Sequence, residues 1–283
     1  MIDHSWIKTI ETSLGFQSSF SGLRIWISLK LACSLHGWSS LRKFNLGITK
    51  SNLFILSCLG SFLFLSLQFS TFELVWGQMP NQIEYVYNIE QMKGHLEQAI
   101  MNKEDGNNTL TRAHILHPIV EIYDFIEAPL VTVDSNLNHT LYTSLSELSQ
   151  NVEKLDLSQF TEETEKSNQL LNDAIKLIVP QENSTLNLIV ASWLFDVANT
   201  EYESGVRDGK VIEIVEYQDA SGFISRAESL VEDSLPMLNQ TMKSSAEEVL
   251  SLISPLKSEV QNKADIQTPI SELKQKISNM TGI

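Results

Sequence analysis

Three histidines in the middle of the chain could together bind a metal ion. His95 precedes a glycine-containing turn, and His114 and His117 follow that turn. His114, His117 and Glu121 are spaced by three and four residues, which places them on one face of a helix. Imidazole and carboxylate groups suit iron, copper and zinc. The pattern therefore predicts a metal site formed by His95, His114, His117 and Glu121.

The same helix face could instead be solvated. On a straight helix the apolar residues from Ile115 to Ile126 define the buried side, and His114, His117, Glu121 and Asp124 point the opposite way. Pro118, inside this helix, removes one backbone hydrogen bond and frees the carbonyl of His114. A solvated or structural role for these polar residues is the alternative to a metal site.

A second group of oxygen-bearing residues lies at a later helix start. Glu213 and Glu216 are one turn apart, and Tyr217 follows directly. Carboxylate and phenol oxygens could hold a hard cation, although acidic residues are also favoured at the positive end of any helix. Before them, Gly209 is expected to end a helix in the left-handed conformation, with Asp208 closing the turn.

The spacing of apolar residues predicts the helices that position these candidate ligands. Apolar residues step by four and three along several segments, for example Tyr85, Ile89, Met92, Leu96 and Ala99. Breaks are expected at Gly106, Pro129, residues 133–138, Pro180 to Ser184, Asp208 with Gly209, Pro236 and residues 264–268. The pattern predicts an all-α fold, an up-and-down antiparallel helical bundle of about eight helices. Two stacked four-helix units, 78–180 and 181–283, are favoured over one long bundle.

The N-terminal part has the signature of membrane export. Residues 51–67 are almost wholly apolar and follow Arg42, Lys43 and Lys50. We interpret residues 51–77 as a signal peptide, with cleavage before Gln78, or as an uncleaved membrane anchor with the C-terminal part outside. Residues 1–50 form an N-terminal extension, which we attribute in part to an upstream start codon. The chain is therefore predicted to be extracytoplasmic, secreted or anchored by this one segment.

Cysteine and asparagine usage agrees with export. Both cysteines, Cys33 and Cys58, precede the proposed cleavage point, so the remainder must be held together by packing alone. The remainder also contains five N-x-S/T patterns, at Asn107, Asn138, Asn183, Asn239 and Asn279. These patterns predict a glycoprotein.

The charge distribution limits the partners and the chemistry. Of 20 Lys/Arg and 35 Asp/Glu, the first 77 residues hold six and three, so residues 78–283 carry 14 and 32. Such an acidic surface argues against nucleic acid as a partner and attracts cations. The sequence contains no phosphate-binding glycine loop, nucleophile elbow or H-E-x-x-H pattern. We therefore predict that the protein is not an enzyme.

One segment resembles a known family. The residues Tyr202, Gly205, Val206, Asp208, Gly209, Val211, Glu216, Tyr217 and Phe223 occur in the run NTEYESGVRDGKVIEIVEYQDASGF. This run is similar to a segment in the extracytoplasmic helical domain that precedes the membrane part of bacterial and archaeal high-affinity iron permeases. The chain departs from those permeases, because it contains no polytopic membrane region and no Arg-Glu-Gly-Leu-Glu type motif. The resemblance implies the helical module alone, a link to iron and a role for Glu216 and Tyr217.

Three function classes follow from these observations. The leading one is an extracytoplasmic metal-binding or metal-delivery protein for iron or another transition metal, whose partners are the metal ion and a membrane permease or membrane complex. The alternatives are a structural or sensory helical bundle at the cell surface and an accessory subunit of a membrane complex.

Overall fold

The computed structural model describes residues 82–181 and 183–283, and almost all of them are helical. The helices are α1 (residues 82–104), α2 (Asn108–His117), α3 (Tyr123–Val133), α4 (Ser135–Gln150), α5 (Leu157–Ile178), α6 (Ser184–Gly205), α7 (Ile214–Ser234), α8 (Gln240–Asn262) and α9 (Gln267–Thr281). A π-helical turn, Pro118–Ile122, joins α2 to α3, and a 3₁₀ turn, Leu235–Met237, follows α7. The predicted all-α helical bundle is confirmed.

Side-chain caps explain where several helices begin. The side chains of Asn107, Asn183 and Asn239 accept hydrogen bonds from the first turns of α2, α6 and α8. Asparagine is among the preferred residues at this position, so three of the five N-x-S/T patterns have a structural reason. Asn138 is buried and accepts a hydrogen bond from the hydroxyl of Tyr123, so a glycan on Asn138 is incompatible with this packing. Glycosylation of the other four stays a prediction.

The described helices enclose two apolar cores. The first core contains residues of α1 to α5, including the whole predicted stripe Tyr85, Ile89, Met92, Leu96 and Ala99. The second core is formed by α6 to α9, in which α6 packs on α7 and α9, and α8 packs on α7 and α9. Ile83 and Val86 of α1 also belong to the second core. Because α1 contributes to both cores, the division into units 78–180 and 181–283 stays a prediction.

A buried charge network ties α1 to α7. Arg226 of α7 donates to Glu90 at 2.8 Å and to Glu97 at 2.9 Å. Lys93, one turn after Glu90, donates to the same carboxylate at 2.6 Å. Burial raises the pKa of Glu90, but the charges of Lys93 and Arg226 outweigh it, so this pKa lies below its usual value. The network thus fixes how the two helices are placed along each other.

The helix boundaries differ from the sequence prediction at two places. Pro129 lies inside α3, and the break comes at Asp134, which is extended and caps α4 through its side chain. The expected helix end at Gly209 is also wrong. The helix α6 ends at Gly205, and a two-stranded antiparallel hairpin follows, with β1 (Val206–Arg207) paired to β2 (Lys210–Val211).

The hairpin turn consists of Asp208 and Gly209, with φ values of 52° and 69°. Positive φ at both central residues is the requirement of a type I′ turn, for which Asp-Gly is a preferred pair. Strands of two residues carry too little alternation to be recognised in a sequence, which explains why the hairpin was missed.

Several predictions lie outside the described residues. They are the extension over residues 1–50, the export segment over residues 51–77, the cleavage before Gln78 and both cysteines. Among the helices within residues 82–181 and 183–283, none combines the length and the apolar character that a membrane crossing needs.

Candidate metal centre

Three histidines converge on one buried carboxylate. Oδ1 of Asp219 lies 2.7 Å from Nδ1 of His95 and 2.9 Å from Nδ1 of His114. Oδ2 of Asp219 lies 3.4 Å from Nδ1 of His117. Only 4% of His95, 0% of His114 and 2% of Asp219 are exposed. Residues from α1, α2 and α7 therefore form one cluster of four potential ligands, of which three are buried.

Two glycines allow α1 and α7 to approach closely enough for this contact. A Cβ added at Gly222 would lie 2.7 Å from the carbonyl oxygen of Gly94, which is closer than side-chain carbons normally come. Gly94 directly precedes His95, and Gly222 is one turn after Asp219. The helix crossing at these glycines therefore sets the short distance between His95 and Asp219.

The two histidines of α2 face the protein interior because α7 covers that side of the helix. The alternative in which His114, His117, Glu121 and Asp124 all face water is wrong for His114, which is fully buried, and the side chain of His117 is only 23% exposed. Glu121 and Asp124 are exposed. The π-helical turn begins at Pro118, and the N–H of Tyr123 donates to the carbonyl of Pro118. Such turns often occur near functional sites.

The far side of the His114 ring is held by an amide pair. Nε2 of His114 lies 2.8 Å from Oε1 of Gln218. Gln218 and Asn102 exchange hydrogen bonds at 3.0 and 3.2 Å, and Asn102 also donates to the carbonyl of Gln98. These contacts make Oε1 of Gln218 an acceptor, so Nε2 of His114 carries a proton. In the neutral ring, Nδ1 of His114 then presents a lone pair to Asp219.

A lone pair directed at a carboxylate is unfavourable unless a proton or a metal ion lies between them. Nδ1 of His95 is a second ring nitrogen close to the same carboxylate, and it likewise requires a proton or a metal ion. It is not aligned for a hydrogen bond with Asp219, and it has no partner among the residues that the structure describes. Two ligand atoms that each lie about 2.1 Å from an ion, with a right angle between the two bonds, are about 3 Å apart. This distance is close to the observed separations between the ring nitrogens and Oδ1 of Asp219. The ligand set suits iron, copper or zinc.

The electrostatics of the cluster favour cations. Burial raises the pKa of Asp219, but its contacts with the imidazoles of His114, His117 and His95 outweigh burial and hold this pKa well below its usual range. The contact with Asp219 raises the pKa of His117. The carboxylate is therefore charged.

Two further carboxyl groups adjoin the cluster. Glu201 of α6 and Glu216 of α7 are both partly buried. Burial, together with the influence of Glu216 and the nearby charges of Asp219 and Glu121, raises the pKa of Glu201 to about 7. Glu121 and Glu216 also act electrostatically on His117. The predicted ligands Glu121 and Glu216 thus lie at the edge of the histidine cluster.

The predicted partnership of Glu216 with Tyr217 does not form. The hydroxyl of Tyr217 donates to the carbonyl of Val260 at 3.3 Å, and that of Tyr202 donates to the carbonyl of Ala264 at 2.6 Å. Adjacent residues on a helix point about 100° apart, so Tyr217 is directed towards the end of α8 while Glu216 is directed towards Glu201. Tyr202, Asp208 and Gly209 shape the α6–α7 connection.

Sequence reasoning missed Asp219, Glu201 and Gln218 as members of the site. Asp219 carried a usable signal, because it follows Glu216 by three residues on the same helix and so shares its face. No local signal linked it to histidines more than a hundred residues earlier.

One comparison with known proteins gives a match. The model of the iron permease-associated 4-helix bundle domain matches residues 180–283. Residues 180–283 are therefore similar to this domain. The four helices in this range are α6 to α9, and the run from Asn199 to Phe223 that carried the resemblance lies within it. The resemblance inferred from the sequence is thereby confirmed for this part of the chain.

The histidine cluster joins this domain to the helices before it. Asp219, Gln218, Glu201 and Glu216 lie in the part that matches the iron permease-associated domain, whereas all three histidines lie on α1 and α2. Comparisons with curated proteins and with solved structures gave no match. The geometry of the histidine cluster is therefore the main indication of what the protein does.

Proposed function

We propose that this chain is an extracytoplasmic protein that binds, and by binding delivers, iron or another transition metal. The observation that carries the proposal is the pair of Nδ1 atoms, from His95 and His114, that lie 2.7 and 2.9 Å from one buried oxygen of Asp219. The hydrogen bond from His114 Nε2 to Gln218 is the arrangement that metal-ligating histidines use to fix the ring and its tautomer. The permease-associated domain supports iron as the metal and a membrane permease as the partner.

The test is a calorimetric titration of the purified chain with Fe²⁺ under anaerobic conditions, and with Cu²⁺ and Zn²⁺. Asp219→Asn preserves the shape of the side chain but removes the central ligand charge, so we expect affinity to fall at least about 100-fold. Asp233→Asn, at an exposed position of the same helix, should leave affinity unchanged. Circular dichroism of each variant verifies that the helices are retained.

A double change of His114 and His117 to Ala is a less suitable test. His114 is fully buried, so its truncation opens a cavity and leaves the carboxylate of Asp219 without a partner. Tyr217→Phe is the better probe of the site suggested by the iron permease resemblance. Because the Tyr217 hydroxyl is bonded to Val260, this change should not alter metal affinity.

Weak binding that is equal in all variants and disappears with added salt would contradict the proposal. Such behaviour is what any strongly acidic surface shows. The export part of the proposal is tested separately, by determining the N-terminal residue of protein from the native membrane or medium. Cleavage before Gln78 is the expected result, whereas an intact chain would favour the membrane anchor.

A second candidate function is an accessory subunit of a membrane complex. An exposed groove of about 610 Å³ favours it, in which Gln82 and Glu84 adjoin the apolar residues Tyr85, Phe125, Pro129, Leu177, Ile178 and Pro180. The description of the domain as permease-associated points to an iron permease as the occupant. Phe125→Asp would abolish co-purification with the permease if the groove is the contact, while metal affinity would be unchanged.

A further inference from the structure

A polar cavity lies at the seam between the two apolar cores. It is lined by residues of α1, α5, α6 and α7, and Ile175 in its wall packs against both cores. Its volume is about 400 Å³, within the size range of small-molecule sites. Its polar lining includes Glu90, Lys93, Asn172, Lys176, Asn187 and Asp233. None of these residues belongs to the histidine cluster, so the cavity is a separate candidate site.

Lys93 brings a buried positive charge to the lining of this cavity. Only 9% of its side chain is exposed, and its Nζ lies 2.6 Å from Oε1 of Glu90. That bond uses one of the three N–H donors of the ammonium group, and Nζ has no second partner within residues 82–181 and 183–283. Buried donors are normally paired, because the loss of their bound water is otherwise not compensated. Two donors of Lys93 are therefore available to a group that enters the cavity.

Both oxygens of Glu90 are already engaged. Oε1 accepts the hydrogen bond from Lys93, and Oε2 accepts from Nε and Nη2 of Arg226 at 2.9 and 2.8 Å. A ligand that reaches Lys93 therefore meets N–H donors and a carboxylate whose oxygens are occupied. This arrangement favours a ligand group that only accepts hydrogen bonds and carries a negative charge, as a carboxylate does.

The start of α6 adds to the preference for an anion. Asn183, which caps this helix, and Asn187 in its first turns both line the cavity. The positive end of a helix dipole stabilises negative charge nearby. No arginine is among the described residues that line the cavity, and arginine is the side chain that binds phosphate through paired N–H groups. A carboxylate therefore fits this lining better than a phosphate group.

The side walls supply neutral hydrogen-bonding groups. Asn172 of α5 and Asn187 of α6 are partly buried, and each carboxamide can both donate and accept. Hydroxyl and amino groups are complementary to such carboxamides. The cavity therefore suits a small molecule that carries hydroxyl or amino groups beside its carboxylate.

We propose that this cavity binds a small organic acid, whose carboxylate is held by Lys93 and whose hydroxyl or amino groups bond to Asn172 and Asn187. The inference goes beyond the proposed function, because the cavity shares no residue with the metal cluster. It gives the chain a second ligand of a different chemical class.

Calorimetric titration with L-malate and L-glutamate tests the proposal, with the full chain first freed of metal on a chelating resin. Both probes carry carboxylates, the first with a hydroxyl group and the second with an amino group. We expect at least one of them to bind, whereas malamide, the uncharged diamide of malate, and inorganic phosphate should not. A strongly acidic surface repels anions, so binding of a carboxylate requires a specific site.

Two variants locate the site. Lys93→Met keeps the length of the side chain but removes its charged donors, so the dissociation constant should rise at least about tenfold. Because this change also removes a partner of Glu90, Asn187→Leu provides a milder variant, and its dissociation constant should rise about fivefold. Lys154→Met and Asn136→Leu, at exposed positions outside the cavity, are the matched controls and should bind like the wild type.

Each outcome has a separate meaning. No binding of either probe, or equal binding of malamide or phosphate, would overturn the proposal. Unchanged affinity in both Lys93→Met and Asn187→Leu would overturn the location of the site. The proposed function fails or stands independently, because the wild type can bind metal and neither probe, or a probe and no metal. A preference for one probe over the other would identify the second group that the asparagines recognise.

Discussion

The backbones of Gly94 and Gly222 are in contact where α1 crosses α7. A methyl group at residue 222 would lie 2.7 Å from the carbonyl oxygen of Gly94, so the helices would have to move apart. His95 and Asp219 lie beside this crossing, and their 2.7 Å contact depends on it.

We therefore expect Gly222→Ala to lower the stability of the fold and metal affinity together. Overpacking of this kind costs about 1–3 kcal/mol, and we expect the metal dissociation constant to rise about tenfold. Urea unfolding followed by circular dichroism and calorimetric titration measure the two effects. Ser221→Ala, at the neighbouring partly buried position, is the control. Unchanged affinity in Gly222→Ala would show that the crossing does not position the site.

Gln218 should act on metal binding without touching the ion. It accepts the hydrogen bond from Nε2 of His114 and thereby leaves Nδ1 of the neutral ring without a proton. Gln218→Met keeps the length of the side chain but removes the acceptor, and losses of this type weaken metal binding about 10- to 100-fold. Titration of this variant beside Gln275→Met, which lies on an exposed face of α9, tests the role. Equal affinities in the two variants would argue against it.

The Glu90 network should make stability depend on pH. The pKa of Glu90 is lowered in the folded state, so its contribution is fully present above the usual value of 4.5 and is lost as pH falls through the lowered pKa. Removing one member of a buried ion pair costs about 3–5 kcal/mol. Glu90→Gln should thus be strongly destabilised at pH 7, and its difference from the wild type should shrink below pH of about 4.

Unfolding free energies at pH 7, 5, 4 and 3 measure this difference. Glu104→Gln, on an exposed face of the same helix, provides the control and should match the wild type at every pH. A difference between Glu90→Gln and the wild type that is constant across this range would show that Glu90 contributes through packing and not through its charge.

The capping role of Asn239 predicts a difference between two asparagines that share the N-x-S/T pattern. The side chain of Asn239 accepts a hydrogen bond from Met242 at the start of α8, whereas Asn279 lies on an exposed part of α9. Asn239→Ala should lower the free energy of unfolding by about 1 kcal/mol, the usual value of a helix cap. Asn279→Ala should change it by less than half as much. Thermal and urea unfolding of the unglycosylated protein compare the two.

Local periodicity was enough to predict the helices and the convergence of the histidines. Steps of four and three residues identify a buried face directly, and a short turn places His95 near His114. The π-helical turn, the two-residue strands and the helical Pro129 were not predicted, because each depends on packing that overrides local preference. The partner of the histidines was missed for a similar reason. Asp219 reaches them only through the close crossing at Gly94 and Gly222, which is a property of the folded backbone.

The separation of His95 from Asp219 along the chain has a thermodynamic consequence. An ion held by both would close a loop from residue 95 to residue 219, as a disulfide does, and residues 78–283 contain no cysteine that could do so. Closing a loop of this length removes conformational entropy from the unfolded chain worth about 5 kcal/mol. The metal would then act as a reversible cross-link, and its loss would loosen the attachment of α1 and α2 to α7.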